Sequence, residues 1–451
     1  MAELTESLSK VFDFGDLKRK SVSSSKYITS VRPQNGNSFV IGGSVIEFAM
    51  PTAVARSFAM LNGAYLKFKV TNNSAVEASA DGSAGFASLI NRCEWMSSGG
   101  ILSSVSNWNT LYSTLMDLGA DPATSGNVLN PLMGTAQSPA EVTASVNSAA
   151  AAFGGAALAA GASRTVVIPL VLNPFSASDR GVPLFSADNL RLRVTLESAA
   201  AALISAGAVT DANIQISECS MMFETVTLSE DSFALIDSLV LGNYSILSTD
   251  WRNVSNNVPA SVSSATNIIG VSVSSAKRML IVPRNTVDIT DLAAASQANR
   301  TLMNLSQVQL NCSGKLLPQL PVAIEPAADG GRGAEALAYT LSSDDKLGDI
   351  KAGGLLSLGS TAGTTLYTLN TAAGKTNAGD GGGKFVLGLD LRTHPEGDDV
   401  FSGLNLLGAN FLAQFRMDVA TTVAATVLYC VQFHTLISLD SRGTNTFKVS
   451  V

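Results

Sequence analysis

The chain has 451 residues, of which 46% are hydrophobic and only 14% are charged, and its formal net charge is −7. That length allows two or three domains with substantial cores, and the acidic balance argues against a main body that grips nucleic-acid phosphates. Charged residues normally make up about a quarter of a soluble domain, so their shortage indicates a surface covered largely by other protein. A long, Ser/Thr-rich secreted sandwich would show nearly the same bias.

Four cysteines, Cys93, Cys219, Cys312 and Cys430, lie far apart and form no CxxC pair, and only two histidines accompany them. This argues against a zinc site, and we expect reduced, structural cysteines because the chain lacks the density of a disulfide scaffold. The opening MAELTESLSK has neither the basic region nor the apolar core of a signal peptide. No window reaches 18 strongly apolar residues, so no transmembrane helix is expected.

The first 25 residues form a predicted N-terminal arm. Its pattern predicts a short amphipathic helix ending in a basic cluster, which would contact a membrane, nucleic acid or a neighbouring subunit. A helix packed on its own domain, with a solvated basic turn, fits the pattern equally well. The apolar face comprises Leu4, Leu8, Val11 and Phe12, and the basic cluster comprises Lys18, Arg19 and Lys20.

From Lys26 onward the pattern becomes β-like. YITSVRP, NSFVIGG and SVIEFAMP follow one another, separated by the prolines and glycines that mark turns. AYLKFKVTN at 64–72 alternates, with Tyr65, Lys67 and Lys69 on one face and apolar residues on the other. This period of two predicts a half-buried strand.

A helix is predicted inside the first half. NWNTLYSTLMDLG at 107–119 places Trp108, Leu111 and Leu115 at helical spacing and ends on Gly119, which suits a C-cap. The following residues, about 119–163, are rich in Ala, Ser, Asn and Gly, and we interpret them as a long irregular insertion with a role in contact or decoration.

The sequence then contains one three-segment β ending twice. Each copy is an apolar strand, a polar loop with a long alternating strand, and a longer β-like run. This duplication predicts two β-sandwiches of one design in tandem. The first copy is VVIPLVL at 166–172, NLRLRVTLE at 189–197 and ANIQISECSMMFETVTL at 212–228; the second is VLGLDL at 386–391, NFLAQFRMDV at 410–419 and TVAATVLYCVQFHTLISL at 422–439.

Other elements complete the second half. Residues 229–239 predict a short helical linker, 277–289 a strand and 291–305 a second helix-like segment. Residues 325–383 are glycine-heavy and predict a long loop. The closing SLDSRGTNTFKVSV predicts a final hairpin.

Ionisable groups that catalysis would need are scarce. His394 lies in a polar loop, and His434 alternates within the last long strand, where a solvated or hydrogen-bonded role is the more ordinary interpretation. The acidic pairs Asp344–Asp345 and Asp398–Asp399 lie in loop-like stretches. GDGGGK at 379–384 lacks the ending of a phosphate-binding loop and precedes a strand rather than a helix. We therefore predict no enzyme, no catalytic residue, no cofactor and no metal.

The order of strands resembles the major capsid proteins of the double jelly-roll virus lineage, which includes adenovirus hexon-like and tectivirus-like capsids. YITSVRPQNGNSFVIGGSVIEFAMP followed by GAYLKFKV resembles their opening, and VVIPLVLNPF with GVPLFSADNLRLRVTLE resembles the end of their first roll. VLYCVQFHTLISLDSRGTNTFKVSV resembles the end of the second. The resemblance covers nearly the whole chain and rests on order and rhythm, since these proteins share no short invariant motif.

The resemblance implies an all-β fold of two tandem eight-stranded jelly-roll β-sandwiches, with short helical insertions and long loops. The predicted domains are the arm at 1–25, a first roll at 26–235 and a second roll at 236–451. Such proteins form trimers of pseudo-hexagonal outline that tile icosahedral shells. The long loops would form outward towers or clasps between subunits.

The same resemblance implies partners and a location. The chain would contact itself in the trimer, neighbouring trimers, and penton and minor capsid proteins. Its arm would lie on the inner side, against an internal membrane, the genome or a neighbouring trimer. We expect the protein in the virion, after assembly in the host cytoplasm or nucleus.

Two further interpretations remain open from the sequence. The first is a single jelly-roll capsid protein with a projecting domain, although such proteins usually begin with a long basic arm and this one has only three clustered basic residues. The second is a carbohydrate-binding sandwich or tail-spike protein, which needs a carboxylate pair or an exposed aromatic platform. Asp398 and Trp251 would be its candidate residues.

Overall fold

The computed structural model describes residues 24–135, 154–324, 334–344, 382–394, 402–440 and 447–450, apart from single positions and short gaps inside these ranges. The first half consists mainly of strands, and several of them, such as Ser57–Asn72 and Ile214–Leu228, alternate between buried and partly exposed residues, as the period of two in the sequence requires. In chain order they are β1 (Ser24–Val31), β2 (Ser38–Val40), β3 (Val45–Ala49), β4 (Ser57–Asn72), β5 (Ala78–Asp81), β6 (Ile90–Ser97), β7 (Gly100–Val105), β8 (Gly154–Leu158), β9 (Ser163–Pro169), β10 (Val182–Pro183), β11 (Arg191–Leu196), β12 (Leu203–Ile204) and β13 (Ile214–Leu228).

These strands form two main sheets. In sheet A, β13 and β4 lie side by side at the centre, β1 and β2 pair with the other edge of β13, and β9 and β10 pair with the other edge of β4. Sheet B has the order β3-β11-β6-β7. A small third sheet consists of β12, β5 and β8. All the recorded pairings are antiparallel, so both main sheets can bury one face and leave the other free.

The second half repeats this plan with sheets C and D. Sheet C has the order β14-β23-β16, with β21 and β17 beside β16, β20 beside β17, and β24 beside β23. Sheet D has the order β15-β22-β18-β19. The strands are β14 (Asn243–Val258), β15 (Ser264–Ile268), β16 (Ala276–Asn285), β17 (Arg300–Thr301), β18 (Leu305–Cys312), β19 (Lys315–Ala323), β20 (Gly382–Gly383), β21 (Leu387–Asp390), β22 (Phe411–Met417), β23 (Ala425–Asp440) and β24 (Phe447–Ser450).

The two main sheets of the first half match the two sheets of the second half. The order β1/β2-β13-β4-β9 in sheet A corresponds to β14-β23-β16-β21 in sheet C, and the order of sheet B corresponds to that of sheet D. In each half the chain crosses repeatedly between the two sheets and stays in one sheet at a hairpin, β6–β7 in the first half and β18–β19 in the second, which is the connectivity of an eight-stranded jelly roll. The three-segment ending in the sequence is therefore the last part of each roll.

Each roll buries the inward residues of its two sheets. In β4, Leu66, Phe68 and Val70 are buried, and they belong to the same core as Trp95 of β6. In the second roll, the buried apolar residues of the neighbouring strands β22 and β18 lie side by side in a separate core. The alternation predicted for 64–72 is confirmed, because a residue with its side chain between the sheets loses contact with water.

Helices occupy the connections. The linker helix between the rolls begins after Ser229, whose hydroxyl accepts a hydrogen bond from the Ser232 amide, and Glu230 and Asp231 lie in its first turn. Acidic residues stabilise that end of a helix. The predicted boundary at residue 235 falls inside this helix, and the division into domains stays a prediction. The helices are α1 (Trp108–Gly119), α2 (Asn130–Met133), α3 (Ala199–Ala202), α4 (Glu230–Val240) and α5 (Ala334–Ser343).

The helix predicted at 291–305 is wrong. Among the described positions of that stretch there are turns and the short strand β17, and Met303 and Asn304 have φ values of 54° and 51° that no right-handed helix allows. Gln297 and Arg300 instead point into buried polar contacts with the first roll. Those tertiary contacts, rather than local helix propensity, fix the conformation of these two residues.

Both predicted loops contain regular structure. The insertion at 119–163 includes α2 and the strand β8, and β8 is part of the Ala-rich run interpreted as loop. Its pairing with β5 supplies hydrogen bonds that the local sequence does not reveal. The stretch 325–383 includes α5, a run of good helix formers between glycine-rich segments. Residues 136–153, 325–333 and 345–381 lie outside the described part.

Candidate assembly surfaces

Sheet C is buried on both faces. Met279 and Ile281 of β16 belong to the core of the second roll, whereas Leu280 and Val282, on the opposite face, belong to the continuous core of the first roll. The central strand β23 behaves in the same way. The second roll therefore lays the outward face of its sheet C against the first roll, and the two rolls share an apolar layer.

Polar groups cross this contact beside β7. The Ser103 hydroxyl of β7 donates to the Asp250 carboxylate of β14 at 3.0 Å, and the Asn253 side chain donates to the Ser106 carbonyl oxygen at 2.5 Å. Burial raises the pKa of Asp250 to about 6, although the Ser103 hydroxyl, the Trp251 amide and the Arg252 charge act in the opposite direction. The contact thus holds an acid that changes charge in a mildly acidic solution.

A buried ion pair and an amide join α1 and its neighbours to the second roll. The Arg300 guanidinium donates to the Asp117 carboxylate at 2.5 Å, and both side chains are fully buried. Gln297 receives a hydrogen bond from Thr110 and bonds Asp81 through its backbone amide. Since buried charges are tolerated only when paired, this cluster fixes how one roll lies on the other.

The first roll carries the same outward face without such a cover. Glu224 of β13 pairs with Ile28 of β1 on one side and with Met60 of β4 on the other. Two residues along β13, Val226 pairs with Phe58 of β4. These residues are half-buried or exposed, with Ile28 61% exposed. The described part of sheet A therefore presents a partly apolar face where sheet C presents a buried one.

The second roll has an uncovered edge that corresponds to β7. β19 pairs with β18 and is the last strand of sheet D among the described residues. Its Leu316 and Leu320 are exposed, Leu320 by 79%. We did not single out this edge in the sequence, although Pro318 and Pro321 were a usable signal, because a proline within a strand is confined to edges.

An apolar cavity of about 630 Å³ opens where sheet A, α4 and the start of β14 meet. Phe58, Met60 and Val226 line it from the sheet, and Ile236 and Val240 line it from the helix. Aromatic rings pack beside it: Phe185 lies 5.5 Å from Phe58, 4.9 Å from Phe233 and 5.5 Å from Tyr244, measured between ring centroids. We call this feature the linker groove.

The seven residues singled out in the arm, Leu4, Leu8, Val11, Phe12, Lys18, Arg19 and Lys20, lie outside the described residues. The structure therefore brings none of them to a site, and their role stays a prediction. Within the described residues, no helix is long and apolar enough to cross a membrane.

The histidines and acidic residues considered for catalysis have these positions in the structure. His434 is buried, and its Nδ1 lies 3.0 Å from the Ser275 hydroxyl, while His394 is exposed beside Thr393. Asp344 forms an ion pair with Arg278. Asp345 and the Asp398–Asp399 pair lie outside the described part, as does most of GDGGGK. No group of three or more potential metal ligands occurs among the residues that are described.

Cysteines and tryptophans are core residues. All four cysteines are free and buried, and burial raises the pKa of the Cys93 and Cys430 thiols, which makes them poor nucleophiles. Trp95, Trp108 and Trp251 are all buried. The tryptophans therefore form no exposed aromatic platform of the kind a carbohydrate-binding surface needs, and the likeness of the two halves disfavours a single roll with an unlike projecting domain.

Comparison with known proteins identifies the fold. No protein-family model and no curated protein sequence matches the chain. Among solved structures, the PBCV-1 virus capsid is 9% identical with a TM-score of 0.61, covering 96% of this chain and 98% of that chain. The Faustovirus major capsid protein is 9% identical with a TM-score of 0.58, covering 97% and 94%, and the mavirus major capsid protein is 11% identical with a TM-score of 0.51, covering 96% and 92%.

The predicted fold is confirmed: the chain is an all-β double jelly roll, like those viral major capsid proteins. The likeness spans almost the full length of both chains, so it includes both rolls and the way they are joined. At such low identity it is the order and packing of strands, not individual side chains, that the proteins have in common.

Proposed function

We propose that this chain is the structural major subunit of an icosahedral viral shell, in which three copies close into a ring of six jelly rolls. Its role would be to self-associate rather than to catalyse a reaction. The observation that carries the proposal is the contact between the two rolls of one chain, because its two sides recur uncovered on the outside of the molecule.

The contact within the chain joins unlike surfaces. The first roll contributes the side of β7, and the second contributes the outward face of sheet C around β14. By the equivalence of the rolls, β19 corresponds to β7, and the outward face of sheet A corresponds to that of sheet C. A head-to-tail contact between unlike surfaces forms a ring when the rotation closes. Because β1 corresponds to β14, β19 of one copy would cover the β1 side of sheet A, around Ile28, in the next copy.

The composition supports the same role. Permanent interfaces bury more surface and are more apolar than transient ones, and a chain with 14% charged residues has the low charge that such covered surfaces need. Exposed leucine and isoleucine side chains at β19 and β1 are then interface residues rather than aggregation risks.

The finer partners belong to this proposal too. Trimers would contact one another, penton proteins and minor capsid proteins in the virion, after assembly in the host cytoplasm or nucleus. The arm at 1–25 would face the inner side of the shell. There the basic residues Lys18, Arg19 and Lys20 would meet an internal membrane, the genome or a neighbouring trimer, and the residues Leu4, Leu8, Val11 and Phe12 would supply an apolar side.

The test is the mass of the purified full chain by light scattering, with electron microscopy of particles. We expect three chains per molecule for the natural sequence. Leu320→Arg should shift the protein to single chains, because it places a charge in the centre of the proposed contact. Ile28→Asp, on the opposing surface, should do the same.

Ile268→Arg is the matched control. Ile268 is 67% exposed and lies on β15, at the opposite edge of the sheet that contains β19. The substitution should leave three chains per molecule. A natural chain that stays single at high concentration, or a control that dissociates the ring as Leu320→Arg does, would contradict the proposal.

A further inference from the structure

The start of β1 lies at the linker groove. Ser24, the first described residue, is the register partner of Leu228 at the end of β13, and Leu228 lines the groove. Leu228 directly precedes Ser229 and the first turn of α4, so Ser24 lies close to the start of that helix. The described part of the chain therefore begins at the rim of an open apolar cavity.

The composition of residues 1–23 suits that position. Leu4, Leu8, Val11 and Phe12 recur at the spacing that puts apolar side chains on one face of a helix. From Phe12 to Ser24 the chain can span up to about 40 Å when extended, which is ample for a helix to fold back over the groove that Ser24 adjoins.

The basic cluster of the arm and the acidic first turn of α4 carry opposite charges. The first turn of α4 exposes Glu230 and Asp231, and only one cation, Arg56 at 3.6 Å from Glu230, is recorded as an ion-pair partner there among the described residues. In the sequence, the cluster Lys18–Lys20 comes shortly before Ser24, which lies close to this acidic turn. Opposite charges on exposed surfaces contribute little to affinity but favour one orientation over another.

We propose that residues 4–12 form an amphipathic helix that docks its apolar face into the linker groove of the same chain. The groove offers Met60 and Val226 on one wall and Ile236 and Val240 on the other, the arrangement in which a groove accepts one face of a helix. Docking removes the apolar face from any lipid, so the remaining contact of the arm with an inner-side partner is electrostatic. The proposal does not depend on shell assembly.

The experiment is photocrosslinking in the full chain. p-Benzoylphenylalanine replaces Phe12 in one variant and Glu6, on the opposite face of the same helix, in a matched control. Position 12 should crosslink to peptides that contain Met60 or Ile236, and position 6 should give roughly tenfold less of these products. An intrachain crosslink leaves the mass on a denaturing gel unchanged, whereas a crosslink to a neighbour doubles it.

Two substitutions on α4 separate docking from a general effect on the helix. Ile236→Asp, inside the groove, should lower the position-12 crosslinks by roughly tenfold, and Leu235→Asp, on the same helix but 62% exposed and outside the groove, should leave them unchanged. Crosslinks of doubled mass, crosslinks to other parts of the fold, or loss of the groove products to lipid when vesicles of phosphatidylserine and phosphatidylcholine are added would overturn the proposal.

Discussion

The protonation state of one carboxyl group, Asp250, affects the stability of the contact between the two rolls. It lies on β14 at the contact with the first roll, where two donors, the Ser103 hydroxyl and the Trp251 amide, share its Oδ1 atom. Burial still dominates and raises its pKa to about 6 from an ordinary value of 3.8. The fold therefore favours the protonated acid, and the charged form weakens the contact.

Asp250→Asn should stabilise the protein at neutral pH and not in acid. Because the folded pKa is raised, the stabilising contribution of the carboxyl is fully present below pH 3.8 and is lost as the pH rises through 6. The gain from Asp250→Asn should grow from near zero at pH 4 to on the order of 3 kcal/mol at pH 8. Denaturant unfolding at both pH values measures it.

The companion variant Ser103→Ala should have the opposite sign. It removes a donor to the charged carboxylate, so the loss in unfolding free energy should be larger at pH 8 than at pH 5. If neither variant's change in unfolding free energy depends on pH, Asp250 does not titrate between the pH values compared.

At the scale of elements, the close packing of α5 on β21 depends on the absence of a side chain at Gly388. α5 packs on β21 at Gly388, where the Gly388 amide donates to the Thr340 hydroxyl at 2.8 Å. A Cβ at this position would lie 2.5 Å from the Ser343 hydroxyl oxygen and 3.0 Å from the Thr340 Cα. The strand therefore needs glycine here, so that the helix can cover the second core.

Gly388→Val should destabilise the chain by about 2–3 kcal/mol, because the added side chain forces α5 away from β21. Gly270→Val serves as the control, since a Cβ there meets nothing within 4 Å. Urea midpoints compare the two. If both variants unfold at the same urea concentration, the close packing of α5 is not what Gly388 provides.

Elements were predictable where the local pattern agreed with the tertiary environment. The alternation at 64–72 and in β11 and β13 gives strands directly, because one face of each is buried and the other is not. β8 was misassigned because its conformation depends on pairing with β5. The segment at 291–305 was misassigned because Arg300 is held by Asp117 of the first roll. Nothing local in the sequence encodes a partner so far along the chain.

At the scale of the molecule, the repeated ending predicted two rolls but not how they meet. Asp117 and Arg300 look like any solvated charges in the sequence, yet they form a fully buried pair that joins the rolls. Likewise, Leu280 and Val282 of β16 lie where an isolated sandwich would have a polar outer face. Their apolar character was the available signal that another body covers this sheet.

Arg300→Met should destabilise the folded chain by about 3–5 kcal/mol, because it leaves the Asp117 carboxylate buried without its cation. Combining it with Asp117→Leu should restore most of that loss, as two apolar residues need no pairing. Urea unfolding of the single and double variants tests this. A double variant as unstable as Arg300→Met alone would mean that the pair contributes through shape and not through charge.

The double burial of sheet C has a consequence for mutational tolerance. In β13 every second position is only partly buried in a single chain, whereas most positions of both parities in β16 and β23 are buried. The later half of the gene should therefore vary more slowly along its central strands than the earlier half. Duplicated architecture does not imply equal freedom, because the outward face of sheet C is covered within every chain, whereas that of sheet A can be covered only by another copy.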